Sequence, residues 1–458
     1  MKLVDKDKNK KNLLSSLMIF SYPAMFSNFL IAVRDILDMV FVGHIFDAGS
    51  AQAAISISWP FLDTMLAPII GFCVAGMNLI GESKGKEDKK SIRKYSTGLI
   101  ILCILSGIGI NLIIFFSAPY VLRFMKASNG IIDNAIIYVR IRSVSYTFEY
   151  LFRALSTISY SNKNTKTPTW FSFFDIVLDV IICAVLLFVF NVGIAGIAVA
   201  STASRIFTAL AYTSYLMMKQ KSLEKNKLSG QLKGSFTKGC IGKAVNNNYI
   251  RRILKQAAPV VFSQALSCIG FYLLLKLIIV YGADVSAAFG IGNKISNLVL
   301  AFAIALSSTL AVKVSISKGE NDKESANKVI RYAEIISLVI SVIGGTVLYF
   351  IGSIFTSIMT KDINVANATK EYLRWLILVI PMMGEHQIIM GAMQGLGKTK
   401  NVMWLSVFRI WFTRLPILTV FIFLGFTQSQ YVWYMTIISS FLAMLFAFLL
   451  LFISGKNR

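Results

Sequence analysis

Asp175 and Asp179 stand four residues apart inside an apolar run near 170–190. On a helix that spacing puts both carboxylates on one face, with Cβ atoms about 5–6 Å apart. Two carboxylates so close in a poorly solvated place resist double ionisation, so one keeps a proton or the pair recruits a cation. Either behaviour can couple an ion gradient to the movement of a second solute. Earlier in the chain Arg34 precedes Asp38 by four residues and Asp35 precedes it by three, so Arg34 is placed to pair with Asp38. Glu149 has Arg153 four residues on, which predicts a plain helical ion pair, and Asp63 sits between Pro60 and Pro68 as a hydrogen-bonding residue. The second half is different. Lys276, Lys294, Lys313, Arg409 and Arg414 dominate it, and its chief acid is Glu385, next to His386. A cation or proton site is therefore expected in the first half, with His386 a packing histidine or a member of a proton path.

The elements that must position these residues are membrane helices. Of 458 residues, 56% are hydrophobic and only 15% charged, with a mean hydropathy of +0.67. A soluble domain carries about 25% charged residues. Apolar runs lie near 17–42, 51–80, 96–117, 143–160, 170–190 and 194–217, then 257–281, 285–312, 332–352, 372–393, 402–424 and 431–454. Each is close to the roughly 20 residues a helical span needs. The expected fold class is all-α integral membrane, with twelve transmembrane helices. A charge at the centre of a bilayer costs about 2.5–3.5 kcal/mol even on a lenient scale, so the intramembrane acids and bases must face partners or a wet cavity.

The net charge of +24 does not imply a nucleic-acid partner, because its placement follows the membrane. With the N-terminus cytoplasmic, about two-thirds of the 46 Lys and Arg residues fall on the inner side. Those on the outer side are Arg123, Lys126, Arg140, Arg142, Lys361, Lys370 and Arg374. This predicts both termini in the cytoplasm, and the lipid bilayer of the cytoplasmic membrane as the surrounding medium. The first apolar stretch, from Leu13, is interrupted by Pro23 and runs on to Val42, which reads as a span and not as a signal peptide. Cys73, Cys103, Cys183, Cys240 and Cys268 lack paired spacing and read as inert. Gly395-Leu396-Gly397-Lys398-Thr399 lacks the first glycine of a phosphate loop and follows a span, so it reads as a tight turn. With no nucleophile–base pair, metal cluster or cofactor loop, neither an enzyme nor a cofactor is expected.

The chain also repeats itself. Pro23-Ala24-Met25-Phe26-Ser27-Asn28 returns as Pro259-Val260-Val261-Phe262-Ser263-Gln264, and Ser83-Lys84-Gly85 with Asp88-Lys89 returns as Ser317-Lys318-Gly319 with Asp322-Lys323. Thr165-Lys166, Trp170, Ser172, Phe174 and Ile176 return as Thr399-Lys400, Trp404, Ser406, Phe408 and Ile410. The expected organisation is two pseudo-symmetric six-helix bundles, 1–218 and 257–458, joined by a basic cytoplasmic linker at 219–256, with a cavity between them. Parallel six-span repeats are a transporter architecture. In this alignment Asp175 answers to Arg409 and Asp179 to Thr413.

These motifs resemble the multidrug and toxic compound extrusion (MATE) family. Asp38-Met39-Val40-Phe41-Val42-Gly43 resembles the end of its proline-led first span, and Gln394-Gly395-Leu396-Gly397-Lys398-Thr399 before Arg409 and Pro416 resembles its tenth-to-eleventh-span signature. Asp175-x-x-x-Asp179 resembles the family's Asn-x-x-x-Asp, and Gly193-Ile194-Ala195-Gly196-Ile197-Ala198 with Ser201 resembles its sixth-span opening. The likeness covers nearly all twelve spans. It implies a secondary active exporter that antiports amphipathic or cationic organic compounds against H+ or Na+ by alternating access, and works as a monomer. It further implies a proton or sodium site at Asp38, Asp175, Asp179 and Ser201, with Na+ held by the three aspartates. Arg34, Asp35, Arg409, Glu385 and His386 are candidate modulators. The seventh span lacks the acid of one branch, which favours the branch coupled through the first half, called DinF-like. The rival reading is a lipid-linked oligosaccharide flippase of the same superfamily, for which Lys276, Lys294, Arg409 and Arg414 would line the cavity.

Overall fold

The computed structural model describes residues 2–42, 48–124, 129–225, 248–360 and 362–456. His44, Cys240 and residues 226–247 of the linker lie outside the described residues, as do the side chains of Asp35 and Asp38.

Regular structure among the described residues is helical throughout. α1 (Lys2–Val42) is the first span. The second is broken into α2 (Ala48–Thr64) and α3 (Ala67–Gly85). α4 (Lys89–Phe124), α5 (Asn129–Ser161), α6 (Lys166–Ala184) and α7 (Ile194–Lys225) complete the first half. The second half contains α8 (Asn248–Ile278), α9 (Ala283–Gly319), α10 (Lys323–Met359) and α11 (Ile363–Gly395). Its eleventh span joins α12 (Thr399–Val407) to α13 (Leu415–Phe423) through a π-helical segment, Phe408–Arg414, and α14 (Gln430–Lys456) is the last. Every apolar run of the sequence is thus a helix. Eleven of the helical segments are long and apolar enough to cross a membrane. The twelfth is α5, whose apolar character is diluted by Arg140, Arg142, Glu149 and Arg153.

Those polar positions have work to do. Pro68 has no N–H and cannot continue the helix through Thr64, so the second span breaks there. The freed carbonyls find donors on α5: the Tyr146 hydroxyl donates to Leu62 O at 2.8 Å and the Tyr150 hydroxyl to Met65 O at 2.6 Å. In lipid such groups must be satisfied within the protein.

The helices form two compact units. One comprises Arg34–Val261, and the other Met1–Val33 with Phe262–Arg458. α1 therefore changes unit at Val33–Arg34 and α8 at Val261–Phe262. The first unit is built on Leu99, Cys103, Ile114, Tyr150, Leu155 and Tyr212. The second holds an aromatic stack, Phe271–Phe289–Tyr372–Trp433, with centroid spacings of 6.2, 5.6 and 4.5 Å. The early part of α1 belongs to that unit through Ser21 Oγ and Thr309 Oγ1, 2.6 Å apart, and through Phe29 against Phe302.

The repeat is written into the backbone. Glu87, Lys163 and Asn191 have φ of 56°, 62° and 50°, and their partners 234 residues later, Asn321, Gly397 and Gly425, have 59°, 74° and 75°. Five of these six close a helix in the same way, Gly425 among them, with Gly425 N donating to Ile422 O and Phe426 N to Phe421 O. Lys163 N donates to Tyr160 O and Asn164 N to Ser159 O, just as Gly397 N donates to Gln394 O and Lys398 N to Met393 O. The pairs Glu87–Asp88 and Asn321–Asp322 do likewise. This is the double-bonded helix stop that needs a left-handed residue. Asp88 and Asp322 then cap the next helix, bonding Ser91 N at 3.0 Å and Ser325 N at 2.9 Å. Replacing Asp322 by Ala is expected to cost about 1 kcal/mol, seen as an earlier thermal unfolding of the purified protein.

Gly425 isolates the backbone term. A Cβ there meets nothing within 4 Å, so only its φ of 75° opposes substitution. Gly425→Ala is expected to cost about 1–2 kcal/mol. Gly425→Asn is expected to cost less, because Asn191 already fills the equivalent position. Thermal unfolding of the two variants, compared side by side, checks the order.

Candidate ion-coupling site

In the first unit the side chains of four helices meet in a buried ion network. Asp175 and Asp179 lie one turn apart on α6, 1% and 2% exposed. Arg34 reaches across from α1 to both: its Nη1 is 3.2 Å from Asp175 Oδ2 and its Nε 3.1 Å from Asp179 Oδ2. Arg205 on α7 places Nη2 3.0 Å from the same Asp175 oxygen and Nε 2.7 Å from Glu149 Oε2. Glu149 also pairs with Arg153 one turn along α5, as their spacing predicts. The set contains three guanidiniums and three carboxylates, so it is neutral as it stands. The second oxygens, Asp175 Oδ1 and Asp179 Oδ1, are buried and accept no hydrogen bond. Two acceptor oxygens are thus open in an apolar bundle, and a proton or a hydrogen-bond donor is the species they can take.

The spacing of Arg34 predicts pairing with Asp38, whose side chain lies outside the described residues along with that of Asp35. What the structure adds is that Arg34 bridges the aspartate pair. Ser201 is buried on α7, one turn before Arg205, and no hydrogen bond joins it to either aspartate among the described residues. Arg205 is the residue that reading by motif misses. The signal was present, since an arginine in the middle of an apolar span requires a buried acid within reach. Among the described residues no cluster of three or more His, Cys, Asp or Glu is arranged to hold a metal ion.

The second unit differs at the equivalent place. Arg409 stands where the repeat has Asp175, and Arg414 follows it in the π-helical segment. In the α-helical geometry of about 100° per residue, residues five apart diverge by roughly 140°. The i→i+5 bonding of a π turn brings them back toward one face. The first-span position of Arg34 corresponds to Gly270, where a Cβ would lie 2.6 Å from Ile410 Cγ2 and 3.0 Å from Trp411 Nε1. The Trp411 indole donates to Leu266 O at 3.0 Å, holding the π-helical segment against α8. At Gly270 there is no room for a side chain to answer Arg409. Glu385 and His386 are both buried on α11; His386 Nε2 lies 3.4 Å from Leu405 O. Lys276 is exposed on α8.

Comparison with known proteins agrees with this architecture. The MatE family model matches residues 23–186 and 259–420, one copy in each half. The chain is 22% identical to the probable multidrug resistance protein YpnP of Bacillus subtilis, over 91% of this chain and 90% of that protein. Its fold is similar to that of a MOP superfamily transporter from Pyrococcus furiosus described by the reverse polarity of its binding pocket, with TM-score 0.87, 17% identity and 97% of each chain covered. It is similar also to a mutant of the Vibrio cholerae MATE transporter VcmN, with TM-score 0.85, 16% identity, and 98% of this chain and 99% of that one covered. Two matched segments, repeated in register and carried on twelve membrane helices, make this chain a member of the MATE family of multidrug efflux transporters.

Proposed function

We propose that the protein exports amphipathic, often cationic, organic compounds across the cytoplasmic membrane in exchange for inward-moving H+, by alternating access, with both termini in the cytoplasm and as a monomer. The observation that carries this reading is the aspartate pair bridged by Arg34. Arg34 acts as a tethered cation that holds the pair charge-balanced when no proton is bound. Protonating Asp179 or Asp175 weakens the bridge, frees α1 from α6 and lowers affinity for a cationic substrate that uses the same oxygens. Only such a difference in affinity between two states can drive a cycle. By the family resemblance, Asp38 and Ser201 are proposed to belong to the same ion site.

The geometry favours H+ over Na+. A proton needs a single carboxylate oxygen and, by neutralising it, releases one guanidinium, whereas a sodium ion needs a shell of oxygen ligands and Asp175 Oδ2 and Asp179 Oδ2 are already held by Arg34 and Arg205. The concentration of acids in the first half favours the DinF-like branch. The flippase reading has less support, since the compared relative is a multidrug resistance protein.

The test is dye accumulation in everted vesicles under separately imposed proton and sodium gradients. The expected result is accumulation driven by the proton gradient alone and lost in Asp179→Asn. Accumulation that follows only the sodium gradient would overturn the coupling, and wild-type rates in Asp179→Asn would overturn the site.

A further inference from the structure

We infer that the second unit contains an oxyanion-binding site formed by Arg409 and Arg414, which takes the carboxylate or phosphate group of an organic ligand. Arg414 is 4% exposed, and its Nε and Nη2 are buried without a hydrogen-bond partner; Arg409 Nε is likewise buried and unpartnered. Neither guanidinium forms an ion pair with any described residue, in contrast to Arg34, Arg153 and Arg205 in the first unit. Their charges, moreover, are close enough to act on each other and on His386. His386 is 2% exposed and its Nδ1 too is buried without a partner. Glu385, the residue before His386 on α11, is buried too, and it forms no ion pair with either arginine among the described residues.

An isolated buried charge is costly, and a guanidinium cannot escape the cost by losing its proton. Two arginines turned to one side by a π-helical segment, beside a histidine with a free ring nitrogen, are a waste of stability unless an anion completes them. The planar fork of arginine matches carboxylate and phosphate oxygens two at a time. Tyr372, whose phenol feels the Arg414 charge, is fixed from behind by its stack on Trp433 and by its hydroxyl 3.5 Å from Asn293 Oδ1, which gives the site a rigid wall. The site stands independently of which ion drives transport. It widens the ligand class from cations to amphipathic anions and zwitterions.

The test uses the purified full chain in nanodiscs and reads the ligand-induced shift in thermal unfolding. The probes are dodecanoate, dodecyl phosphate, inorganic phosphate and dodecyltrimethylammonium, in discs with and without phosphatidylglycerol. We expect the two anionic chains to raise the midpoint of the wild type, and their apparent affinity to fall about tenfold or more in Arg409→Gln and in Arg414→Met. Arg414→Met alone should unfold no earlier than the wild type without ligand, because a methionine carries no charge to desolvate. A shift given by inorganic phosphate as well identifies a small oxyanion as sufficient, and one given only by phosphatidylglycerol identifies a lipid headgroup. Equal shifts from dodecyltrimethylammonium, or anion shifts unchanged in Arg409→Gln, would overturn the inference. If Arg414→Met does not fold, the partly exposed Arg409 decides it alone.

Discussion

Asp175→Asn is expected to destabilise the protein more than any other single neutralisation in the first unit, by about 3 kcal/mol, and to abolish transport. Asp175 Oδ2 receives both Arg34, at 3.2 Å, and Arg205, at 3.0 Å. Once it is an amide, three guanidiniums share two carboxylates. Among the described residues Asp179 pairs with Arg34 alone, so Asp179→Asn should cost less while still stopping transport. The measurement is the thermal unfolding midpoint of each purified variant beside vesicle transport. A double-mutant cycle with Arg205→Gln sharpens it. Removing Arg205 from the Asp175→Asn protein takes away the surplus charge, so the double variant should be more stable than the sum of the two losses. Equal unfolding of Asp175→Asn and Asp179→Asn would mean that Arg205 contributes nothing through Asp175.

The two halves have used one helix pair in opposite ways. In the first unit α1 sends Arg34 to α6, where two aspartates wait. In the second, the equivalent of Arg34 is Gly270, and the backbone of α8 closes directly on the π-helical segment. The acids there have become Arg409 and Thr413, and the Thr413 hydroxyl merely returns to Arg409 O at 2.6 Å. A duplicated scaffold thus carries a neutral, internally paired network in one copy, whereas in the other Arg409 and Arg414 have no ion-pair partner among the described residues.

Much of this was legible in the sequence. Hydropathy alone outlines twelve spans, because each must present about 20 apolar residues to lipid. The repeat predicts where helices stop: Ser83-Lys84-Gly85 and Ser317-Lys318-Gly319 lead into left-handed residues at Glu87 and Asn321. The pairing of Glu149 with Arg153 follows from a spacing of four. What spacing within one helix does not reveal is a partner on another. Arg34 meets Asp175 across 141 residues, and Arg205 joins Glu149 to Asp175 between three helices. The apolar run at 51–80 reads as one continuous span, and its break before Pro68, with the tyrosines that satisfy it from α5, emerges only in the fold. The π-helical segment leaves no mark on composition at all, and it sets the direction in which Arg414 points.

The second large effect is expected at the contact of α9 with α11. Gly391-Ala392-Met393-Gln394-Gly395 is a small-xxx-small run, the pattern that lets membrane helices approach until backbones touch. A Cβ on Gly395 would lie 2.6 Å from Ala311 O and 3.0 Å from Ala311 Cα, and one on Gly391 would lie 2.5 Å from Ser307 O. These are backbone atoms, which cannot swing aside as a side chain can, so the helices themselves must part. Ser307 already bridges them by donating its hydroxyl to Gln387 O at 2.7 Å, a bond that parting would stretch. Gly395→Ala and Gly391→Ala are each expected to cost about 1–3 kcal/mol. The double variant should cost less than their sum, because one separation of the helices accommodates both methyl groups. Gly109→Ala is the control: nothing lies within 4 Å of its Cβ, and a helical alanine there should be neutral or stabilise by up to about 1 kcal/mol. If Gly395→Ala unfolds at the temperature of Gly109→Ala, the close approach of α9 and α11 contributes nothing to stability and the glycines serve another purpose.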